Sequence, residues 1–254
     1  MFSIKSITTL FMLLNLSFGA FSQEVDVVQM LENADRYRLQ NDASKVVSNI
    51  HLYKDGEHDK SRMYHVYLKE NRESLVVFKS QIESGQKMLM LGDNYWLLMP
   101  KSRRPIRITP MQKLLGEASV GDISTLTWSD DYKGAWIREE TITNHQDQNI
   151  ETNMLDLSAV TKGATYHRIE LWLEKGTDFP VMANLYLRSG KIAKVATFIK
   201  GERNGLTTVI SMVLADRIQP SKSTEVEYIS VEPVRLENKY YNPAYLSRND
   251  LAEL

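Results

Sequence analysis

The sequence predicts a mainly β fold: a single antiparallel sheet with short helices laid against it. Three observations carry this. From residue 45 onward most of the chain alternates apolar and polar residues with period two, the pattern of half-buried strands. The connections between those runs are of hairpin length and rich in Gly, Asp and Asn, which favours antiparallel neighbours over βαβ crossovers. Helical spacing occurs in two places, near the start of the chain and in its middle.

The first residues give an address. Lys5 precedes an apolar stretch, Ile7 to Leu16, and Ala20-Phe21-Ser22 offers small residues where a signal peptidase reads them. Residues 1–22 therefore read as a removed signal peptide, and residues 23–254 as one exported domain, placed in the periplasm of a Gram-negative-type envelope. No window reaches the roughly 18 apolar residues of a spanning helix, so the processed chain is expected to be soluble. With no Cys among 254 residues there is no disulfide, no thiolate nucleophile or ligand, and no cysteine to carry a lipid anchor. The formal net charge of -1 provides no broad field to attract nucleic acid.

The elements follow in order. Glu24 to Leu39 places Val27, Leu31 and Ala34, flanked by Val28 and Tyr37, on one stripe of an amphipathic helix. Val46, Ser48, Ile50 and Leu52 then share a strand face, as do Tyr64, Val66 and Leu68, with Asp55-Gly56 turning between them. Glu73 to Ser80 continues the sheet, and Gln86 to Leu91 and Tyr95 to Met99 flank the turn residues Gly92-Asp93-Asn94. Later, His167 to Glu174 and Val181 to Leu187 alternate cleanly, and strands at Ile192 to Ile199, Leu206 to Val213 and Thr224 to Val231 bring the total to about ten. The rhythm breaks from Thr109 to Tyr132, where Met111, Leu114 and Leu115 stand at helical spacing; this is either a helical lid or a crossover loop packed on the core.

Chemistry is sparse. The five histidines show no metal-ligand spacing, and no nucleophile elbow, phosphate loop or dinucleotide fingerprint occurs. Glu139-Glu140 are adjacent in sequence, so in a strand they would point to opposite faces and could share no proton. The expectation is a protein with no catalytic residues, no metal and no cofactor, hence not an enzyme. One basic cluster, Lys101, Arg103, Arg104 and Arg107, serves either solubility or contact with a head group or an acidic partner surface. The apolar excess says more. Met88 to Leu91 and Trp96 to Met99 are greasy on both faces, so each face needs a cover, and unbranched Met suits either an irregular core or a cavity for flexible apolar guests.

These same residues resemble a known family. The run MLMLGDNYWLLMP at Met88 to Pro100, followed by Arg103-Arg104-Pro105-Ile106-Arg107-Ile108, is similar to the periplasmic outer-membrane lipoprotein-sorting proteins of the LolA-like superfamily. The likeness continues through GEASVGD at Gly116 to Asp122, Asp131-Tyr132, YHRIELWLEK, and the P-x-x-A-x-L-Y run at Pro180 to Tyr186. The resemblance implies a curved sheet forming an incomplete (half) β-barrel, covered by short helices, whose cavity takes acyl chains of a lipoprotein or lipid. It implies a lipid-binding lining of Met88, Met90, Trp96 and Leu98 from the hairpin and Met111, Leu114 and Leu115 from the lid, to which strand parity adds Ile169, Leu171, Leu185 and Leu187. Arg103, Arg104 and Arg107 would meet a partner or head group. Such a monomeric carrier would sort cargo towards the outer membrane, with an inner-membrane exporter or outer-membrane acceptor as partner. The alternative is an accessory interaction module of a resistance-nodulation-division-type export complex.

Overall fold

In this computed structural model the described residues are 26–39, 43–100, 102, 104–124, 127–217, 219–249 and 254. The expected signal peptide lies outside them. Helix α1 (Val27–Arg36) starts where the Asp26 side chain accepts a hydrogen bond from the Gln29 amide, and it buries Met30, Leu31, Ala34 and Asp35. Strands β1 (Ser44–Lys54) and β2 (Glu57–Lys69) join through Asp55-Gly56, both at positive φ, as a two-residue hairpin of primed type requires. The chain then meanders through β3 (Glu73–Phe78), β4 (Lys87–Leu91), β5 (Asn94–Leu98) and β6 (Ile106–Ile108).

There the meander stops at a sheet edge. The chain crosses over through a small hairpin, β7 (Lys113–Leu115) and β8 (Ala118–Ser119), and a one-turn helix, α2 (Val120–Ser124). It resumes at the opposite edge with β9 (Tyr132–Thr143) and returns through β10 (Asn149–Ala159), β11 (Arg168–Glu174), β12 (Pro180–Tyr186), β13 (Ile192–Arg203), β14 (Leu206–Asp216) and β15 (Lys222–Glu232). Pairing of β15 with β1 joins the halves into one antiparallel sheet of 13 strands, curved but not closed, with β6 and β9 as its edges. The expected half-barrel is therefore the fold. Strands β7 to β10 were not anticipated from the residue pattern.

The crossover corrects one expectation. Met111, Leu114 and Leu115 do not lie on a helix, because Gly116 at φ +55° turns the chain back after β7. A Cβ at that position would run into Thr224 Oγ1 and sit 2.6 Å from Leu52 Cδ1, so glycine is what allows the crossover to rest directly on β1 and β15. The Glu117 amide, donating to Thr224 Oγ1 at 2.9 Å, fixes the contact. The helical part shrinks to the five residues of α2.

Curvature brings the two ends of the sheet together at a polar clasp. Arg72, in the β2–β3 turn, pairs with Asp93 at 2.9 Å and with Asp131, just before β9, at 2.7 Å. Asp93 also accepts from the Gly163 amide, and the Tyr95 hydroxyl donates to the Gly163 carbonyl at 3.1 Å. Inside the curve lies the main core, drawn from both halves of the sheet, α1 and the crossover. Outside it, Tyr67, Leu75, Val77, Leu89 and Leu98 form a second cluster covered by Tyr241 and by Leu246 of α3 (Pro243–Leu246).

Candidate functional site: the roofed inner face of the sheet

The inner face is apolar from β5 round to β10 and is roofed by α1, the β7–β8 hairpin and α2. The roof is fastened by polar ties that start from named side chains. On α1, Asp35 accepts hydrogen bonds from the amides of Trp128 (2.7 Å) and Ser129 (2.9 Å) and from the Ser129 hydroxyl (2.7 Å), binding the helix to the end of the crossover. Two residues past the helix, the Arg38 guanidinium lies 4.3 Å from the centre of the Trp128 ring, which meets Phe198 of β13 edge-on. From α2, Asp122 pairs with Lys194 of β13 at 2.7 Å and accepts from the Ser119 amide and hydroxyl and the Tyr166 hydroxyl.

The charges respond to this setting. Burial alone would push the Asp122 carboxyl up, but the Lys194 ammonium and the donors around it outweigh burial and hold the group below the ordinary carboxylate value. Burial lifts the Tyr166 phenol well above its usual range, and the adjacent Asp122 charge adds to this. Asp35 goes the other way. Burial raises it to about 6 against the opposing hydrogen bonds from Ser129 and Trp128 and the charge of Arg38.

The shift at Asp35 makes the α1 tie pH-dependent. The folded chain holds this proton more tightly than the unfolded one, so its stabilising effect is full below the unfolded value of 3.8 and is lost as pH climbs through about 6. The size is on the order of 2–3 kcal/mol. Urea unfolding between pH 4 and pH 7 is expected to show a downward slope over that window, and Asp35→Asn to flatten it; equal slopes in the two proteins would rule out Asp35 as the source.

Nine of the nominated lining residues come together. Met88, Met90, Leu115, Ile169, Leu171 and Leu185 are buried in the inner core, and Met111, Leu114 and Leu187 pack against it. Trp96 and Leu98 do not join them. The β4–β5 register sets Met88 opposite Leu97 and Leu89 opposite Trp96, so strict alternation turns Trp96 and Leu98 to the outer cluster. Of the basic cluster, Lys101 and Arg103 lie outside the described residues, Arg104 is exposed, and Arg107 stacks over Trp96 on the outer face at 4.6 Å.

Sequence reasoning missed Asp35, Arg38, Asp122, Tyr166 and Lys194. One signal was present, because Lys194 shares its strand parity with the inward-facing Ala196 and Phe198. A lysine at an apolar beat is a buried charge that needs a partner.

Among the described residues the inner face holds a small hollow, lined among others by Arg38, Trp128, Tyr132, Tyr166, Ile169 and Leu185, that measures ≈ 40 Å³, room for a water molecule or two. Larger hollows of ≈ 490 and ≈ 500 Å³ open on the outer face, one between β3–β5 and residues 246–249, the other over β13–β15.

Comparisons with known proteins fit this architecture. A family model described as an uncharacterized protein matches residues 70–248, more than half of the chain. The structure of a LolA superfamily protein from Nitrosomonas europaea matches with a TM-score of 0.78 and 25% identity, covering 87% of this chain and 99% of that one. The chain belongs to the LolA-like superfamily. An outer membrane lipoprotein-sorting protein domain from Vibrio parahaemolyticus has the same LolA-like fold, with a TM-score of 0.68 and 19% identity over 87% of this chain and 98% of that one. No curated protein matches the sequence. The roofed half-barrel is thus the LolA-like fold, with the crossover and α1 as its cover.

Proposed function

We propose that this chain is a non-enzymatic periplasmic carrier that takes an acyl chain of a lipoprotein or lipid against the inner face and sorts it towards the outer membrane. The observation that supports this reading is the construction of the roof. A continuous apolar face lies under three short segments fastened by a few side-chain ties, rather than under a second sheet. Such a cover can lift without unfolding the wall.

Energetics set the scale. Each methylene taken from water gives ~0.8 kcal/mol, so about ten of them give roughly 8 kcal/mol, a micromolar dissociation constant before any opening cost. Opening has a cost here, since a hollow of ≈ 40 Å³ must widen towards the several hundred Å³ of ordinary ligand sites. Met30, Met88, Met90 and Met212 on the inner face can change rotamer to make room. Release then requires a partner that reverses the opening, either an inner-membrane exporter or an outer-membrane acceptor.

The test is direct. Protein drawn from its own periplasm is expected to carry an acyl lipid in native mass spectrometry, and the delipidated protein to take up a fluorescent fatty acid at micromolar concentration. Neither bound lipid nor uptake would sink the carrier. The small size of the ≈ 40 Å³ hollow favours the second reading in that event, an accessory module of a resistance-nodulation-division-type export complex that works through its surface.

A further inference from the structure

Arg38 is a buried cation without an ion-pair partner among the described residues. It is 8% exposed, and its Nε and Nη1 atoms have no hydrogen-bond partner among the described residues. Its flat face is occupied by the Trp128 ring at 4.3 Å, with Phe198 at 5.8 Å, so the donors left over are those in the guanidinium plane. The residue lines the hollow under the roof.

The other charges in that lining already have partners. Asp122 is paired with Lys194 and Asp131 with Arg72, each at 2.7 Å, with Asp131 Oδ2 left without a hydrogen bond among the described residues, while Asp35 on α1 is taken up by the amides and hydroxyl of Trp128 and Ser129 and feels the Arg38 charge. The buried Tyr228 hydroxyl, which makes no hydrogen bond of ordinary length among the described residues, lies beside the Arg38 guanidinium and stands in the field of its charge. The guanidinium keeps two donors, Nε and Nη1, on separate edges beside the Tyr228 hydroxyl, a charge-assisted setting that suits an anionic oxygen better than a neutral one. Leaving such donors buried and unmet is costly, which gives the arrangement a reason only if something meets them.

We propose that Arg38, with Tyr228 beside it, forms an oxyanion subsite under the roof, so that the preferred ligand is an amphiphile whose acyl chain ends in a carboxylate or phosphate rather than a neutral ester. The proposal rests on the carrier reading and narrows it. The acyl chain lies along the inner face, and the head group is held where α1, the crossover and β13 meet.

The experiment compares an NBD-labelled dodecanoic acid with its methyl ester, titrated into delipidated full-length protein. The wild type is expected to bind the acid roughly ten- to hundredfold more tightly than the ester. Arg38→Met is expected to abolish the preference, so that the ratio of acid to ester affinity falls to about one whatever the change in the roof does to both probes, and Arg38→Lys, which keeps the charge but not the guanidinium, to fall between. Inorganic phosphate at millimolar concentration is expected not to displace the acid; displacement would assign the subsite to the free anion and overturn the amphiphile. Equal binding of acid and ester by the wild type, a comparison that needs no variant, would also overturn the proposal while leaving the carrier intact. Binding of neither probe would instead fail the carrier reading itself.

Discussion

Lys194→Met is expected to cost ~3–5 kcal/mol of folding stability, the usual penalty for stranding one member of a buried ion pair. The side chains of Lys194 and Asp122 are 2% and 4% exposed, and their charged atoms are 2.7 Å apart. Removal of the ammonium leaves a carboxylate in a site that water does not reach. The Ser119 amide, the Ser119 hydroxyl and the Tyr166 hydroxyl still donate to Asp122, which places the loss towards the lower end of that range. Adding Asp122→Asn to Lys194→Met removes the stranded charge and is expected to restore most of the stability, since a neutral pair needs no compensation. The acid limb carries a second signature. Asp122 is held below its ordinary value of 3.8, so the pair stabilises the fold above the unfolded value and loses its effect only as pH falls through the lower folded one. Denaturant titrations at pH 7 and below pH 4 check both points: the wild type and Lys194→Met should differ most at pH 7 and converge in acid. A Lys194→Met protein within 1 kcal/mol of wild type, or one whose deficit grows in acid, would show that the other three donors serve the carboxylate alone.

The same pair bears on the roof, because it is the deepest tie between α2 and the wall. A looser roof is expected to admit acyl ligands faster even as the whole fold weakens. The two readouts separate a fastening from a mere core contact, since a core contact would lower stability without changing uptake. Opening of this kind belongs to the low-stability end of a structure, where few contacts break together.

What the sequence made legible follows from how each strand is covered. Strands β11 to β15 alternate plainly because their outer face meets water, so their residues had to differ from one beat to the next. Strand β9 gave no such pattern. It is a sheet edge exposed along most of its length, and residues such as Arg138, Glu139 and Glu140 have no core face to avoid. Strands β4 and β5 failed for the opposite reason. Both of their faces are buried, so apolarity could not tell which side pointed inward, and Trp96 and Leu98 were assigned to the wrong side. The buried polar ties were the least legible part. Asp122 and Lys194 are 72 residues apart, and nothing local to either announces the other.

The outer cover of β2 to β5 leads to the second large effect. Removing residues 233–254 is expected to turn the full chain into an aggregating protein. Tyr67, Leu75, Val77, Leu89 and Leu98 are buried on that face only because Val234, Leu236, Tyr240, Tyr241, Tyr245 and Leu246 lie over them. A fully buried Leu is worth about 1.5–3 kcal/mol relative to an exposed one, so re-exposing three leucines, a valine and a tyrosine side by side forfeits on the order of 5 kcal/mol or more. It also creates a contiguous apolar patch of the kind that drives association. Polar ties hold the segment in register: Lys69 donates to Asn238 at 2.9 Å, Lys87 to the Asn249 carbonyl at 3.2 Å, and the Tyr67 hydroxyl to the Leu254 carbonyl at 2.7 Å. Each of these donors sits on the strands being covered, so the segment is anchored along its length rather than at one end. A milder version is Tyr241→Ala, which empties the centre of the cover beneath the Lys69 ammonium and is expected to cost ~3 kcal/mol with the chain still folded. Size-exclusion chromatography and dye binding on the protein ending at Glu232 should show larger species and strong fluorescence where the full chain shows neither. A truncated protein that stayed the same size and bound no dye would mean that the outer face of β2 to β5 tolerates water, and that its greasy residues are there for a reason other than this cover.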